Sequence, residues 1–141
     1  MRLILQRVSE ASVSVNSQII GQINEGIFVL VGFKKGDTKA QVETLASKLL
    51  KIRIMADENG KMNLVANNFL VVSQFTLYAN TKDGNRPSFI EAEKPVGAEN
   101  LYKYFIRLLS ENDVNIQTGK FGEYMGINAV LDGPVTITLE S

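Results

Sequence analysis

The chain has 141 residues, 15 Lys+Arg against 15 Asp+Glu, and no His, Cys or Trp. Without imidazoles or thiols it can build no Ser-His-Asp or Cys-His centre, no disulfide, and none of the usual Cys/His zinc, haem or iron–sulfur sites. Zero net charge argues against broad polyelectrolyte binding, and no DNA partner is expected; with no His or Cys, no metal or cofactor is expected either.

Met1–Leu5 is apolar but too short for a signal peptide, and no run reaches the ~20 residues of a spanning helix; a soluble cytoplasmic protein is expected. Val8 to Val15 alternates as a strand, Asn16-Ser17 turns the chain, and Gln18 to Ile23 answers it as the second arm of a hairpin. Gly26 to Phe33 is a continuous β-branched run, the mark of a buried strand. Asp37-Thr38 offers an N-cap. Val42, Leu45, Ala46, Leu49 and Leu50 then share one helical face. Asp57-Glu58-Asn59-Gly60 reads as a tight turn between short strands rather than as a calcium loop, whose remaining ligands are missing.

Phe69 to Tyr78 reads as one long strand, followed by a loop from Asn80 to Ser88. A second amphipathic helix covers Glu99 to Leu109. Val114 to Thr118, Ile127 to Leu131 and Val135 to Leu139 follow as strands, with Gly133-Pro134 as the bend before the last. No repeat or linker divides the chain, so residues 1–141 are read as a single domain. The expected fold is α+β: a curled, mostly antiparallel, barrel-like sheet with two main helices packed outside.

Charge is uneven along the chain. Residues 34–61 carry seven basic and four acidic side chains, and residues 111–141 carry one basic and five acidic. The basic stretch reads as a solvated helix face. Three short segments could carry chemistry. In Ser73-Gln74-Phe75-Thr76, two hydroxyls and an amide interrupt an apolar strand, and strand alternation would put Ser73 and Phe75 on one face and Gln74 and Thr76 on the other. A bare hydroxyl without a base is a poor nucleophile, and from residue types alone a half-exposed strand, with Thr chosen for β-propensity, is the better explanation. Lys82 and Arg86 flank a Gly turn that suits a phosphate, or simply form a solvated loop. Gly133-Pro134 marks a bend and, alone, nothing more. Gly119-Lys120-Phe121-Gly122 matches no nucleotide-phosphate loop.

Together these pieces resemble one family, the D-aminoacyl-tRNA (D-tyrosyl-tRNA) deacylases. Ser73-Gln74-Phe75-Thr76-Leu77 is similar to its first signature and Gly133-Pro134-Val135-Thr136 to its second, with Asn85 to Phe89, Leu5 to Val8, Ala11 to Val13 and the Gly119 to Met125 stretch in order between and around them. The resemblance implies hydrolysis of the ester that joins a D-amino acid, or glycine mischarged on tRNA for alanine, to the terminal adenosine of tRNA. It also implies a homodimer with active sites at the subunit interface. In such a site, Gly133 and Pro134 would form a cis chiral gate inserted from the partner, with Arg7 helping to hold it. Ser73, Gln74, Phe75 and Thr76 would line the catalytic pocket. Argued from the chemistry itself, an N–H of Phe75 or Thr76 would be the oxyanion donor and Lys82 and Arg86 would be the phosphate contacts. The proton work would fall to the 2′-hydroxyl of the terminal ribose, or Thr76 would be the nucleophile. A non-catalytic module that binds the tRNA acceptor end is the alternative. Leu131 departs from the family's usual Asn, and Glu123 from a usual small residue, which touches the bonding that positions the gate.

Overall fold

A computed structural model describes residues 1–141. The chain runs β1 (Arg2–Val15), β2 (Gln18–Ile23), β3 (Gly26–Gly32), α1 (Lys39–Lys51), β4 (Met55–Ala56), β5 (Met62–Leu64), β6 (Asn68–Ser73), a 3₁₀ turn (Phe75–Tyr78), α2 (Pro95–Ser110), β7 (Asn115–Thr118) and β8 (Gly126–Glu140).

β1 organises the sheet. β2 and β3 lie end to end against it in one antiparallel register (Ala11↔Ile23, Val8↔Gly26, Arg2↔Gly32). The tight link at Asn16-Ser17 has both residues at positive φ, 49° and 64°, as a two-residue hairpin with the sheet's twist requires. β8 also runs antiparallel to β1, from Arg2↔Glu140 to Ser14↔Gly126. β6 and β7 extend the sheet in parallel from β3, so the curled sheet is mixed. Gly21 of β2 lies close to β7, where an added Cβ would come within 2.8 Å of the Thr118 carbonyl; β2 and β7 thus nearly close the sheet into a barrel.

β3 and β6 are buried on both faces, which explains their unbroken apolar runs. Val29, Val31, Phe69 and Val71 face α1 and α2, against Leu45, Leu49, Phe105 and Leu109. Phe28, Leu70 and Val72 face the barrel interior with Val8, Val13 and Ile23. The helices match their expected faces, with Val42, Leu45, Ala46 and Leu49 buried on α1. Thr38 caps α1, and its N–H donates to Gln41 Oε1 at 2.7 Å. Asp57 closes the β4–β5 turn by accepting the Asn59 and Lys61 N–H groups at 2.9 and 3.0 Å.

Two expected elements differ. The strand from Phe69 stops at Ser73, because its neighbours stop: β3 ends at Gly32 and β7 at Thr118, leaving no ladder for the next residues. The chain satisfies its backbone locally instead, with Leu77 N–H donating to the Gln74 carbonyl and Ala79 N–H to that of Thr76. Near the C-terminus, the two expected strands are one. Gly133-Pro134 bulges out of β8 and does not end it: Thr136 pairs with Gln6 and Leu131 with Val8, so four residues, Asp132 to Val135, stand opposite Arg7 alone. No helix is long and apolar enough to cross a membrane.

Candidate active site

The first group of expected site residues sits where β6 leaves the sheet. Ser73 pairs with Val31 and is half-buried. Gln74 N–H donates to the Val31 carbonyl at 2.7 Å. That approach needs Gly32, where a Cβ would lie 2.8 Å from the Gln74 carbonyl oxygen. Gln74 Nε2 then donates to Thr76 Oγ1 at 2.5 Å, which fixes the amide and the hydroxyl to each other. Strand alternation is lost here: Gln74 and Thr76 are locked by a turn and do not share a sheet face. Phe75 and Thr76 open the 3₁₀ turn, where first N–H groups lack intrahelical partners, and no side chain caps them.

Ser73, Gln74 and Phe75 line a cleft of about 780 Å³, with 12 of its 21 lining residues hydrophobic; Thr76, expected with them, is not in the lining and reaches it only through Gln74. Phe89 packs edge-on against Phe75, ring centroids 5.0 Å apart. Phe121 and Met125 form the facing wall. Gly119 makes room for that wall, since a Cβ there would meet Met125 Sδ at 2.6 Å. The start of α2, at Lys94 and Pro95, closes one end. Sequence reasoning missed Gly32 and the α2 end as cleft-builders. Neither carries a functional side-chain signature; the pairing of β3 with β6 reveals the first, and the pairing of Phe33 to Lys35 with Glu91 to Glu93 the second.

Lys82 and Arg86 lie on the exposed loop between Asn80 and Ser88, whose backbones pair at 2.8 Å both ways. Neither lines the cleft. Asn80 Oδ1 accepts the Lys82 N–H at 2.9 Å and shapes the loop's start.

The second group sits elsewhere. The Gly133-Pro134 bond is cis, and Gly133 has φ 121°, a region that favours glycine. A Cβ on Gly133 would lie 2.9 Å from the Val135 nitrogen and 3.3 Å from Arg7 Nη2. Arg7 is 9% exposed. Its Nη1 donates to the Ile54 carbonyl at 3.0 Å, and its Nε lies 2.8 Å from Asp132 Oδ2. The latter is an ion pair whose N–H does not point along it, so charge and not alignment makes the contact. Arg7 therefore ties β4's approach to the bulge and packs under Gly133.

The structure thus brings Arg7, Gly133 and Pro134 together, and Ser73 to Thr76 together, but not the two groups. None of Arg7, Gly133 and Pro134 lines the cleft. β3 and β1 lie between β6 and β8, and Val31, the partner of Ser73, pairs with Leu3, four residues along β1 from Arg7. At ordinary strand spacing and rise that is roughly 15–20 Å.

Residues 4–140 match the family model described as D-Tyr-tRNA(Tyr) deacylase. The chain is 48% identical over 145 residues to a D-aminoacyl-tRNA deacylase of Dehalococcoides mccartyi, covering 100% of this chain and 95% of the relative. It is 48% identical to the D-aminoacyl-tRNA deacylase of Bacillus pumilus, covering 100% and 99%. Among solved structures it is similar to one titled c-Myc DNA Unwinding Element Binding Protein, with a TM-score of 0.93 at 39% identity, covering 100% of this chain and 99% of that one. A match that runs through both expected site segments, at nearly half identity over the whole length, puts this chain in the D-Tyr-tRNA(Tyr) deacylase family.

Proposed function

We propose that this protein is a hydrolase that splits the ester of D-aminoacyl-tRNA, and that each of its active sites is assembled from two copies of the chain. The observation that carries the second part is the separation just described: one subunit holds a cleft without a gate and a gate without a cleft. β8 is exposed along its bulged half, with Ile127, Val130 and Leu131 uncovered, and offers the face for a homodimer. In that dimer, Gly133 and Pro134 of one subunit enter the cleft of its partner.

The chemistry follows from what the cleft offers. The terminal adenosine and the scissile ester lie against Ser73 to Thr76. The N–H groups of Phe75 and Thr76 stabilise the oxyanion that forms when water adds to the carbonyl carbon. The ribose oxygen then leaves with a proton, giving free D-amino acid and tRNA. With no imidazole in the chain, the 2′-hydroxyl of the same ribose serves the proton transfer, and positioning does the rest. The carbonyls of the gate hold the substrate's α-amino group. An L side chain would point into the gate backbone, while glycine, with no side chain, passes; glycine on tRNA for alanine is therefore a second substrate. Asp132, next to Leu131, gives the bulge an ion pair with Arg7. The charged-tRNA substrate places the protein in the cytoplasm.

The test is ester loss from D-tyrosyl- and L-tyrosyl-tRNA. Cleavage of the D ester alone is expected; equal cleavage of both would refute the gate, and binding without cleavage would leave an acceptor-end module. Thr76→Ala should retain activity within about tenfold, while a 2′-deoxy terminal adenosine should lose it. The reverse pair of results would make Thr76 the nucleophile.

A further inference from the structure

The proposed chemistry uses the floor of the cleft and leaves its mouth unassigned. Tyr124 stands on the rim 95% exposed. It follows Gly122, whose φ of 78° turns the chain outward. Aromatic rings bury large areas when a partner is available, and this one has none in its own chain.

Across the cleft, Phe33 to Lys35 pairs with Glu91 to Glu93: Lys35 N–H donates to the Glu91 carbonyl and Glu93 N–H to that of Phe33, both at 2.9 Å. This pairing sets Lys35 and Lys94 in the wall. Both are exposed, and neither has an ion-pair partner. The neighbouring acids are engaged locally. Glu91 pairs with Lys34 at 3.4 Å and Glu123 with Lys120 at 3.2 Å. Glu93 Oε1 accepts the Lys94 N–H at 2.9 Å, at the start of α2. Two free ammonium groups and a free ring therefore share one rim.

We propose that this rim holds the unpaired nucleotides preceding the terminal adenosine, with phosphates on Lys35 and Lys94 and a base stacked on Tyr124. Cations that track a backbone, together with a ring that stacks a base, are the combination by which single strands are held without sequence readout. The strand is continuous with the nucleoside in the cleft, so the inference rests on the deacylase reading. Lys82 and Arg86, outside the cleft, become secondary to Lys35 and Lys94.

The experiment compares D-tyrosyl-tRNA with 3′-O-D-tyrosyl-adenosine, which carries the ester but no phosphate or second base. For wild type, Tyr124→Ser, Tyr124→Phe and Lys35→Ala/Lys94→Ala, the ratio of kcat/KM for the two substrates is measured. The ratio should fall at least about fivefold in Tyr124→Ser, the low end of base stacking, and be kept in Tyr124→Phe. It should fall in the lysine pair too, mainly through KM, with the log–log salt slope shallower by roughly 1.4 for two single-strand phosphates. An unchanged ratio, or equal losses on both substrates, overturns the proposal. So does a Tyr124→Ser protein that sediments as a monomer where wild type is a dimer, since the ring then belongs to a subunit contact. Wild type that cleaves neither substrate refutes the deacylase reading itself, a result distinct from any of these.

Discussion

The turn after β6 and the bulge in β8 are both departures from regular strand, and they are built in opposite ways. The turn is held by neighbouring segments although Phe75 and Thr76 stay exposed: Gly32 admits it, Val31 accepts the Gln74 N–H that leads into it, and Phe89 packs on Phe75. The bulge is held from beneath, by Arg7 and by Val135 packed on the core, and its outer side is open, with Asp132, Gly133 and Pro134 all exposed. A cleft needs walls and a gate needs reach. A gate made of main chain also resists drift, because a substitution changes the side chain and leaves the carbonyls in place. The contrast teaches that an exposed irregularity on an edge strand can be half of a site whose other half is on another copy.

The strongest way to break this comparison is to mix two disabled proteins. Gly133→Val forces a β-branched residue to φ 121° with a Cβ 2.9 Å from the Val135 nitrogen. Gly32→Val pushes the Gln74 carbonyl away. Each alone should lose at least about a hundredfold in D-tyrosyl-tRNA hydrolysis, the scale at which misplacing a reactive group is felt. After co-refolding, half of the dimers are mixed, and each mixed dimer has one site with both native parts. Activity should then return to about a quarter of wild type. If activity stays at the level of the separate variants, with mixed dimers shown by mass, each site belongs to a single chain.

Arg7→Ala sharpens the same contrast with a smaller effect. It removes a donor from the Ile54 carbonyl and a charge from Asp132. Asp132 is half exposed, so water recovers part of the loss, and about 1–3 kcal/mol of stability should go in a denaturant titration. Discrimination between D and L esters should narrow more than the D rate itself falls. Arg7→Lys should restore charge without the two-pronged reach, and so only part of the discrimination.

Much of the sheet was legible because its pattern is periodic. The continuous run of β3 announced a buried strand, and Asn16-Ser17 announced its hairpin. The misreading at Gln74 to Tyr78 has a clear cause: Phe75, Leu77 and Tyr78 have strand propensity, and only the length of the neighbouring strands ends β6. In β8, a Gly-Pro pair that reads as a turn is instead absorbed by one long partner, because β1 continues past it. The candidate site segments stood out through the family resemblance and not through residue types alone, and their arrangement in space could be read from neither. Lys35, Lys94 and Tyr124 meet only through the pairing of residues 33–35 with 91–93 and the turn at Gly122, which no local pattern encodes. Lys82 and Arg86, by contrast, had the local signal and lie outside the cleft.

Tyr102→Phe separates support of the cleft from use of the cleft, and its effect should be the smallest. Tyr102 lies on α2, buried, and its hydroxyl donates to the Val71 carbonyl at 2.9 Å, two residues before Ser73. Its removal leaves that carbonyl with one acceptor position unused and should cost about 1–2 kcal/mol near neutral pH. Burial raises the Tyr102 phenol above the ordinary value near 10, as it does for Tyr78. A group whose folded pKa is raised gives stability that is complete below its unfolded pKa and is lost as pH climbs above it. The native protein should therefore weaken steeply above about pH 10. Tyr102→Phe should weaken less steeply there, because the Tyr102 share is gone and only those of Tyr78 and of Tyr104, raised by its hydrogen bond with Glu43, remain, so its deficit against wild type shrinks in alkali. The chiral ratio should not move at any pH, since the hydroxyl bonds Val71 and neither Arg7 nor the Gly133-Pro134 segment. A variant whose deficit is constant from pH 7 to 11 would show that the phenol is not the group that titrates. One that changes the D-to-L ratio would show that cleft and gate are mechanically joined within a single chain.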